Sequence, residues 1–481
     1  MIKKLLDFCN KNPRIVFMSW IFLLAFFLRV FRLPVFISYH QDQVRDLFFI
    51  KDHFDKGLPI LLGPKASVGN FFLPPFWYYL MSLAFLFSSS PVAPAFVVVL
   101  LSSLTVLFIY LFSEKYFDKK TAFFASLLYA VSPLSIEYSR FAWNPNPVPF
   151  FTMASFYFLY IYIYNKKNYG FWLGLVAANL SLQLHYQGMI VFAFFFLAIL
   201  IAKKLSWKKF LLSIIINFVL FLPFFIHEYS HNFENTKGII SFLFKTQSVS
   251  SLKFFGVPFF IKFIFRDFSV FIGAVLFFKN FIFGFIGFLI FGLSIFYFPA
   301  QLPPLKTLKY FFIFSFIMFF FYKNSLINFY LLFLIPVLIV YLTNIFLKLL
   351  DEKTFFIAFF IIVSLNIFLS PAFGKTDKTY LAIKEGVNLI TYRNNYCLAY
   401  RIYKPTFIES KYRYLVSLAK NQPLNVNCEI PLFYRCDPRV KNLLLICEAG
   451  LCDHSFINYP FATLIPQPEN ISGVKIYDIK Q

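Results

Sequence analysis

The stretch SYHQDQVRDLFF, residues 38–49, places two carboxylates and an arginine in a chain that is otherwise apolar along most of its length. If this stretch is helical, Asp42, Arg45 and Asp46 share one face, because side chains three and four positions apart are neighbours on a helix. On a solvated helix such charges form a local ion pair of small energetic value. The segments on either side must therefore decide between an ordinary ion pair and a functional site.

Composition indicates the class of protein around this stretch. The chain has 481 residues, of which 59% are hydrophobic and 23% aromatic, and its mean hydropathy is +0.70. Repeated apolar runs approach the roughly 20 residues that a helix needs to cross a bilayer, so we expect an all-α polytopic membrane protein. The net charge of +23 comes from lysines in short connectors, where the positive-inside rule places them. No basic stripe indicates a nucleic-acid partner.

The basic connectors predict the topology. The segment MIKKLLDFCNKNPR precedes an apolar run over residues 15–31 that lacks a small-residue cleavage site, so we expect an uncleaved anchor and a cytoplasmic N-terminus. Alternation of sides then gives about eleven membrane spans in the plasma membrane. The connectors predicted to be cytoplasmic are 113–120, 164–168, 202–209, 302–309 and 347–353. Those predicted to face outward are 34–90, 135–147, 183–188, 227–279, 322–329 and the tail after Ser370.

The first outward segment, residues 34–90, contains an apolar stretch that is too short to cross the membrane. PPFWYYLMSLAFLF, residues 74–87, has about a dozen apolar residues and is led by Trp and Tyr, which favours an interfacial or re-entrant helix. The stretch PAFVVVLLSSLTVLFIYLF, residues 94–112, is then the true crossing. We therefore expect a transmembrane domain over 1–370 whose first extracytoplasmic loop carries interfacial helices.

The tail, residues 371–481, is less apolar, and alternating runs such as NLLLICE indicate a small extracytoplasmic α/β domain or a partly ordered appendage. It holds five of the six cysteines. An exported compartment would permit disulfides among Cys428, Cys436, Cys447 and Cys452. A zinc site is the alternative, but the spacings lack the CxxC pattern that such sites usually contain.

Two further motifs follow the charged stretch. GLPILLGP, residues 57–64, is a turn rich in glycine and proline, and NFFLPPFWYYL, residues 70–80, is an aromatic segment suited to the membrane interface. The order DxxRD, GxPxLLGP and PPxWYYL after a single anchor resembles the glycosyltransferase type C superfamily. This superfamily includes protein O-mannosyltransferases, aminoarabinose transferases of lipid A and bacterial polyprenyl-phosphate-sugar transferases. The resemblance continues through LLYAVSPLSIEYSRFAWNPN and NLSLQLHYQGMIVF and covers roughly residues 10–345 in layout.

The resemblance implies transfer of a hexosyl or pentosyl group from a polyprenyl-phosphate donor to an extracytoplasmic lipid, glycan or protein acceptor. Asp42 matches the catalytic aspartate of the family, which takes a proton from the acceptor hydroxyl, and transfer then inverts the anomeric carbon. Arg45 matches an arginine that is frequent in the family. Some members have a glutamate directly after the aspartate, whereas this chain has Gln43, so the nearest second carboxylate is Asp46, one turn away.

The leaving phosphate requires a cation, and Arg140, Arg45 and Lys65 are the candidates. Arg140 is favoured because it follows SIEYS at a predicted outer helix end, although an arginine that only snorkels to the interface has the same pattern. Further candidates for supporting or substrate-binding roles are Asp46, Glu137 as a partner of Arg140, His185, Lys323 and Tyr330. Asp42 and Asp46 are also candidate ligands of Mg²⁺ or Mn²⁺, an alternative that the sequence leaves open.

Two other classes of membrane protein share the hydropathy pattern. A lipid-linked oligosaccharide polymerase or ligase is expected to have its large outer loop late in the chain rather than directly after the first span. A flippase-type transporter is expected to carry charges or broken helices near the bilayer midplane, often in repeated halves. This chain has its charged motif in the first outer loop and shows no internal repeat.

Overall fold

The computed structural model describes most of the chain up to residue 374 and short parts of the tail. The described residues are 11–37, 39, 41–66, 71–244, 261–297, 302–320, 328–374, 380, 384, 387–388, 396–401, 414–415, 417–418, 442–448, 462–464 and 474–480. Among these residues, helices account for the part before residue 370, and strands are found only in the tail. The helical architecture that the apolar runs predict is therefore confirmed.

The helices follow one another along the chain with short connections. They are α1 (Pro13–Val30), α2 (Leu33–Phe36), α3 (Gln41–Lys56), α4 (Phe76–Phe85), α5 (Val92–Tyr116), α6 (Lys119–Val131), α7 (Pro133–Ser139), α8 (Val148–Asn165), α9 (Asn168–Leu184), α10 (Gly188–Ile201), α11 (Trp207–Leu220), α12 (Leu222–Ser230), α13 (Glu234–Phe244), α14 (Phe268–Leu276), α15 (Phe281–Tyr297), α16 (Pro303–Phe320), α17 (Ile335–Leu349) and α18 (Glu352–Phe368). A π-helical turn, Phe263–Asp267, precedes α14, and a 3₁₀ helix, Asn328–Leu334, precedes α17.

The chain divides into two compact units. The first consists of Met1–Phe31, Pro59–Leu83 and Ala95–Lys375, and the second of Arg32–Leu58, Ala84–Pro94 and Thr376–Gln481. Helix α3 therefore groups with parts of the tail. Within the second unit the Phe48 and Tyr414 rings lie 5.2 Å apart, and the Tyr414 hydroxyl donates to the Ser89 carbonyl at 2.7 Å. The division into domains 1–370 and 371–481 stays a prediction.

Glycines allow close helix packing in the first unit. Helices α8 and α9 pack against each other, and a Cβ on Gly170 would lie 2.6 Å from the Phe158 carbonyl oxygen. The Ser155 hydroxyl donates to the Gly174 carbonyl at 3.2 Å across the same interface. Small residues and interhelical hydrogen bonds are what hold helices together in a bilayer, where apolar burial gives no net driving force.

A buried arginine fastens α1 to later helices. Arg29 is fully buried, and its Nε donates to the Ser102 hydroxyl at 2.9 Å. Its Nη1 donates to the Ala130 carbonyl at 2.9 Å, and its Nη2 donates to the Tyr129 carbonyl at 3.1 Å. The guanidinium carbon also lies 5.4 Å from the centre of the Tyr129 ring. A buried charge needs such partners, so Arg29 joins α1 to α5 and α6.

Several helices have the composition and length of membrane spans. In the described part of the chain, three segments are long and apolar enough to cross: Pro13–Val35, Val92–Tyr116 and Asn328–Leu349. Two further pairs of helices are sharply bent. One pair is α11 with α12, and the other is the segment Phe263–Leu276, which contains the π-helical turn and α14, with α15. If each pair is one span, the number rises to five. Helix α4 has ten residues, about 15 Å, and is too short to cross alone, as expected. The count of about eleven spans stays a prediction.

Contacts within the first unit join connectors predicted to lie on the same side. Among those predicted to face outward, Asn144 Nδ2 donates to the Leu184 carbonyl at 2.8 Å. Among those predicted to be cytoplasmic, Lys120 Nζ lies 2.9 Å from a Glu352 carboxylate oxygen. The alternation of connectors along the sequence therefore agrees with the packing of the helices, while the side on which each end lies stays a prediction.

The orientation can be tested without any substrate. An odd number of spans after a cytoplasmic N-terminus is expected to place the tail outside the cytoplasm. A periplasmic-type reporter such as alkaline phosphatase, fused after Gln481, should therefore be active, and a matched fusion within 113–120 should be inactive. The reverse pattern, with activity only for the fusion within 113–120, would invert the orientation and move the 34–90 segment to the cytoplasm.

The described part of the tail contains a four-stranded sheet. Its strands are β1 (Tyr396–Arg401), β2 (Asn442–Glu448), β3 (Ala462–Leu464) and β4 (Val474–Lys480), in the order β1-β2-β4-β3. Strands β1 and β2 pair in parallel, and β4 is antiparallel to both β2 and β3. The NLLLICE segment is β2. Cys447 lies in this strand, whereas Cys428, Cys436 and Cys452 are outside the described residues, so the disulfides stay a prediction.

Candidate active site

Helix α3 carries the charged motif and has well-formed ends. Asp42 lies in its first turn, where a carboxylate complements the positive end of the helix dipole, and Lys56 lies in its last turn. Gly57 follows with a φ of 61°, a left-handed conformation that glycine adopts without strain, and the Leu58 amide donates to the His53 carbonyl at 3.0 Å. The helix therefore starts at the motif and ends at the predicted turn.

The structure brings Asp42, Arg45 and Asp46 together, as their spacing predicts. Arg45 Nη1 donates to Asp42 Oδ1 at 3.0 Å. Arg45 Nε and Nη2 both donate to Asp46 Oδ1, at 2.9 and 2.7 Å. One guanidinium therefore joins two carboxylates, and the predicted shared face of the helix is confirmed.

The two carboxylates differ in their exposure. The Asp46 side chain is fully buried, whereas the Asp42 and Arg45 side chains are 39% and 37% exposed. A buried carboxylate that accepts two hydrogen bonds from an arginine fixes the guanidinium in place. Arg45 in turn holds one oxygen of Asp42 at the surface of the helix. The arrangement leaves Asp42, and not Asp46, accessible to a molecule outside the protein.

A metal ion does not fit between these carboxylates as they are arranged. The Arg45 nitrogens lie within 3.0 Å of an oxygen of each carboxylate, so a cation already occupies the space that Mg²⁺ or Mn²⁺ would need. Within the described ranges, no group of three or more His, Cys, Asp or Glu side chains is placed to hold a metal ion. Metal dependence stays a prediction.

In the first unit, the predicted turn segment leads into an antiparallel pairing of residues 63–66 with 71–73, a hairpin that carries Lys65. The Gly63 amide donates to the Leu73 carbonyl at 2.7 Å, and Lys65 and Phe72 form an isolated bridge. A Cβ on Gly63 would lie 2.2 Å from the Pro74 carbonyl oxygen, which explains a glycine at this position. Lys65 is exposed, and its Nζ lies 5.9 Å from the centre of the Phe72 ring. The hairpin therefore presents an accessible cation.

A clamp that the sequence analysis missed fixes this hairpin. Asn235 accepts a hydrogen bond from the Phe72 amide at 2.5 Å, and the Tyr186 hydroxyl donates to the Phe72 carbonyl at 2.8 Å. The buried Glu228 carboxylate accepts from the Asn235 and Thr236 amides, at 3.2 and 2.7 Å. Burial and the charge of Glu228 raise the pKa of the Tyr186 hydroxyl, which stays protonated and donates. No local pattern marks the two contacts to Phe72, because they join residues more than a hundred positions apart.

Arg140 has a different environment from the one predicted. It is buried, its Nη1 donates to the Leu28 and Arg29 carbonyls at 2.8 and 3.1 Å, and its Nη2 donates to the Phe31 carbonyl at 2.5 Å. These carbonyls belong to the end of α1, where a cation complements the helix dipole. This geometry favours a structural role for Arg140. Phosphate binding by Arg140 stays a prediction that the geometry does not support.

The predicted pairing of Glu137 with Arg140 is wrong. Glu137 Oε2 lies 2.6 Å from Lys279 Nζ instead, and both side chains are about half exposed. The local spacing of three residues allowed the predicted pair, but the guanidinium of Arg140 finds carbonyls inside the protein. Glu137 is left at the surface, where a lysine that follows α14 reaches it.

His185 and Tyr330 lie together in an aromatic cluster. The His185 ring is 6.0 Å from that of Tyr330 and 6.2 Å from that of Phe329, and Trp143 packs on Phe329 at 4.7 Å. Desolvation by these neighbours lowers the pKa of the half-buried His185 to about 4, so the ring is neutral at pH 7. Lys323, the remaining candidate, lies outside the described residues. The functional roles of all these side chains stay predictions.

Comparison with known proteins gives partial sequence matches. Residues 73–227 match the family profile described as dolichyl-phosphate-mannose-protein mannosyltransferase. An uncharacterized protein of Aquifex aeolicus is 30% identical over 162 residues, which is 32% of this chain and 32% of that protein. The sequence match thus spans about a third of the curated relative. The profile includes α4 and the aromatic cluster residues Trp143 and His185.

Comparison of structures extends over nearly the whole chain. ArnT from Cupriavidus metallidurans in the apo state gives a TM-score of 0.63 at 11% identity, with 98% of each chain covered. The same protein bound to undecaprenyl phosphate gives 0.61 at 11% identity, with 97% of this chain and 98% of that chain covered. The apo oligosaccharyltransferase of Archaeoglobus fulgidus gives 0.51 at 14% identity, with 90% and 69% covered. The chain therefore has the fold of ArnT from Cupriavidus metallidurans, and its long apolar helices support a multi-pass membrane protein.

Proposed function

We propose that the protein transfers a sugar from a polyprenyl-phosphate carrier to an acceptor outside the cytoplasm. The observation that carries this proposal is a half-exposed carboxylate, Asp42, that an arginine and a buried second carboxylate hold on α3. The fold supports it, because the similar ArnT structure contains undecaprenyl phosphate. The matched profile is named for transfer of mannose from a dolichyl phosphate, a carrier of the same chemical class.

Asp42 acts as the general base in this proposal. Its carboxylate takes the proton of the acceptor hydroxyl while the hydroxyl oxygen forms a bond to the anomeric carbon of the sugar. The bond between that carbon and the phosphate oxygen breaks, and its electron pair leaves with the polyprenyl phosphate. A single displacement of this kind inverts the anomeric carbon and needs no covalent intermediate on the protein.

Arg45 and Asp46 are positioning residues for this step. The bond from Arg45 Nη1 engages Asp42 Oδ1, so the second oxygen, Oδ2, is the one that we expect to take the proton. Asp46 accepts two hydrogen bonds from Arg45 and is fully buried, so its role is to keep the guanidinium in place. Removal of Asp46 is expected to act on Asp42 through the arginine.

The leaving phosphate needs an accessible cation, and Lys65 fits this role better than Arg140. Lys65 is exposed on a hairpin that hydrogen bonds hold in place, and it forms no ion pair with another described residue. Arg140 is buried and donates to three backbone carbonyls. A lysine is a point charge and binds a phosphate group without the planar geometry that an arginine imposes.

A transfer assay with purified protein tests the proposal. Full-length protein in lipid nanodiscs would receive radiolabelled polyprenyl-phosphate hexoses and pentoses, each with a lipid, a glycan or a peptide acceptor. We expect label in one acceptor class, an equal amount of free polyprenyl phosphate and an inverted anomeric configuration in the product. Controls without acceptor or with heat-inactivated protein should release only background polyprenyl phosphate.

Two results would contradict the proposal. A flippase-type transporter would move the intact donor across a vesicle membrane and release no polyprenyl phosphate. A polymerase or ligase would leave monosaccharide donors untouched and consume a lipid-linked oligosaccharide instead. Either result, obtained with folded protein, would remove the assignment of Asp42 as the base for sugar transfer.

A further inference from the structure

A polar cleft lies within the first unit, between connectors predicted to be cytoplasmic. Its volume is about 200 Å³, and its lining includes Asp118, Lys120, Asn344, Lys348, Glu352 and Phe356. These residues come from the start of α6, the end of α17 and the start of α18. The cleft has no part in the proposed transfer reaction, whose candidate residues belong to connectors predicted to face outward.

Asn344 lines this cleft and has a carbonyl oxygen without a partner. Asp118 accepts the hydroxyl hydrogen of Thr121 at 2.9 Å, so the Thr121 oxygen can only accept from Asn344, whose Nδ2 lies 3.1 Å away. This bond fixes the orientation of the amide, and the Asn344 Oδ1 is buried with no hydrogen-bond donor near it. A molecule that carries a hydroxyl donor into the cleft would satisfy this oxygen.

Two carboxylates and two lysines line the cleft, and of these four Lys348 is the one without a partner among the described residues. Asp118 caps α6 through the Thr121 amide and hydroxyl, and Lys120 pairs with Glu352 at 2.9 Å. Lys348 is exposed in the last turn of α17, and in the described part of the chain it forms no ion pair. A cation of this kind at a membrane surface attracts anionic phosphate groups.

An apolar surface continues from the cleft along α18. Phe356 lines the cleft and is 47% exposed, and Phe360, one helical turn further, is 72% exposed. Side chains four positions apart lie on one face of a helix, so these rings form a track toward the membrane interior. A free phosphate compound would leave the track unused, whereas a lipid would place a chain on it.

We propose that this cleft binds an anionic glycerophospholipid whose headgroup carries hydroxyl groups, as phosphatidylglycerol does. The phosphodiester lies at Lys348, a headgroup hydroxyl supplies the donor for Asn344, and an acyl chain lies along Phe356 and Phe360. A choline headgroup has no donor for Asn344. An ethanolamine headgroup has one, but its ammonium offsets the phosphate charge that Lys348 attracts. The cleft therefore favours phosphatidylglycerol over both zwitterionic lipids.

Native mass spectrometry of the full-length protein in detergent tests this proposal without any sugar donor. The probes are phosphatidylglycerol, phosphatidylethanolamine, phosphatidylcholine and water-soluble sn-glycerol 3-phosphate. We expect one saturable phosphatidylglycerol site and at least about fivefold weaker binding of each other probe. Lys348→Gln should weaken phosphatidylglycerol binding by about fivefold, the effect of one lysine at a membrane surface. Lys353→Gln, a matched change in the same connector but outside the cleft lining, should leave it within twofold.

Several outcomes would overturn the assignment. If phosphatidylcholine bound as tightly as phosphatidylglycerol, the proposed headgroup contacts would be contradicted. If sn-glycerol 3-phosphate bound as tightly, the proposed contact of an acyl chain with Phe356 and Phe360 would be contradicted. Equal effects of Lys348→Gln and Lys353→Gln would mean general attraction to basic connectors. Thermal unfolding of both variants without added lipid should match the parent, because both lysines are exposed. Since the measurement contains no sugar donor, its failure leaves the proposed transfer reaction unaffected.

Discussion

The Asp42→Asn variant is expected to transfer sugar at least about a hundredfold more slowly than the parent. Asparagine keeps the size of the side chain and can still accept the hydrogen bond from Arg45 at Oδ1, but it cannot take a proton. Because the Asp42 side chain is 39% exposed, the change should leave folding and donor binding intact. The measurement is the initial rate of polyprenyl phosphate release, with donor affinity measured in parallel.

Asp52→Asn is the matched control for this variant. Asp52 lies on the same helix, is 51% exposed and pairs with Lys56 at 2.7 Å, so its loss should change the transfer rate by less than twofold. Asp46→Asn and Arg45→Ala should slow transfer by smaller factors than Asp42→Asn, since they act through the orientation of Asp42. If a folded Asp42→Asn protein binds donor and turns over at the parental rate, Asp42 is not the general base. Asp42, Arg45 and Asp46 would then form only an ion-paired face of the helix.

The Arg140→Ala variant is expected to lose about 3 kcal/mol or more of unfolding free energy. The guanidinium is buried and donates to the Leu28, Arg29 and Phe31 carbonyls. Its removal leaves these acceptors at the end of α1 without donors in a place that water does not reach freely. Thermal unfolding in detergent, followed by intrinsic fluorescence, measures the loss.

Arg14→Ala provides the control, because Arg14 is a surface arginine on α1, the helix whose end Arg140 contacts. Arg14 is 54% exposed and lies 2.7 Å from Glu114, so its removal should cost about 0–1 kcal/mol. If Arg140 instead held the phosphate, Arg140→Ala would keep the parental unfolding temperature and lose donor affinity. The two roles thus give opposite results in the same pair of measurements.

Local sequence patterns predicted the parts of the structure that depend on neighbouring residues. The spacing of Asp42, Arg45 and Asp46 fixed their shared face, because helical geometry relates positions three and four apart. The same holds for α4, where Trp and Tyr at the start of a short apolar run indicated a helix that does not span. The turn that begins at Gly57 was also predicted, although the close approach of the Pro74 carbonyl to Gly63 was not.

Contacts between distant parts of the chain could not be predicted in this way. Arg140 donates to carbonyls more than a hundred residues earlier, and Glu137 pairs with Lys279, which is 142 positions later. A cation near a predicted interface can bind phosphate, water or backbone, and only the packing of helices decides among them. The clamp of Asn235 on Phe72 has the same origin, since neither residue type is unusual in its own segment.

Arg29 has a consequence for the biogenesis of the protein. Its partners, the Tyr129 and Ala130 carbonyls, are encoded about a hundred residues later, so they do not exist when α1 leaves the ribosome. At a synthesis rate of about 5–20 residues per second, α1 waits about 5–20 s for them. During that interval its guanidinium must stay hydrated at the mouth of the translocon. We therefore expect α1 to be released into lipid only after α6 has emerged, so that the first helix made is committed to the bilayer together with α5 and α6 rather than ahead of them.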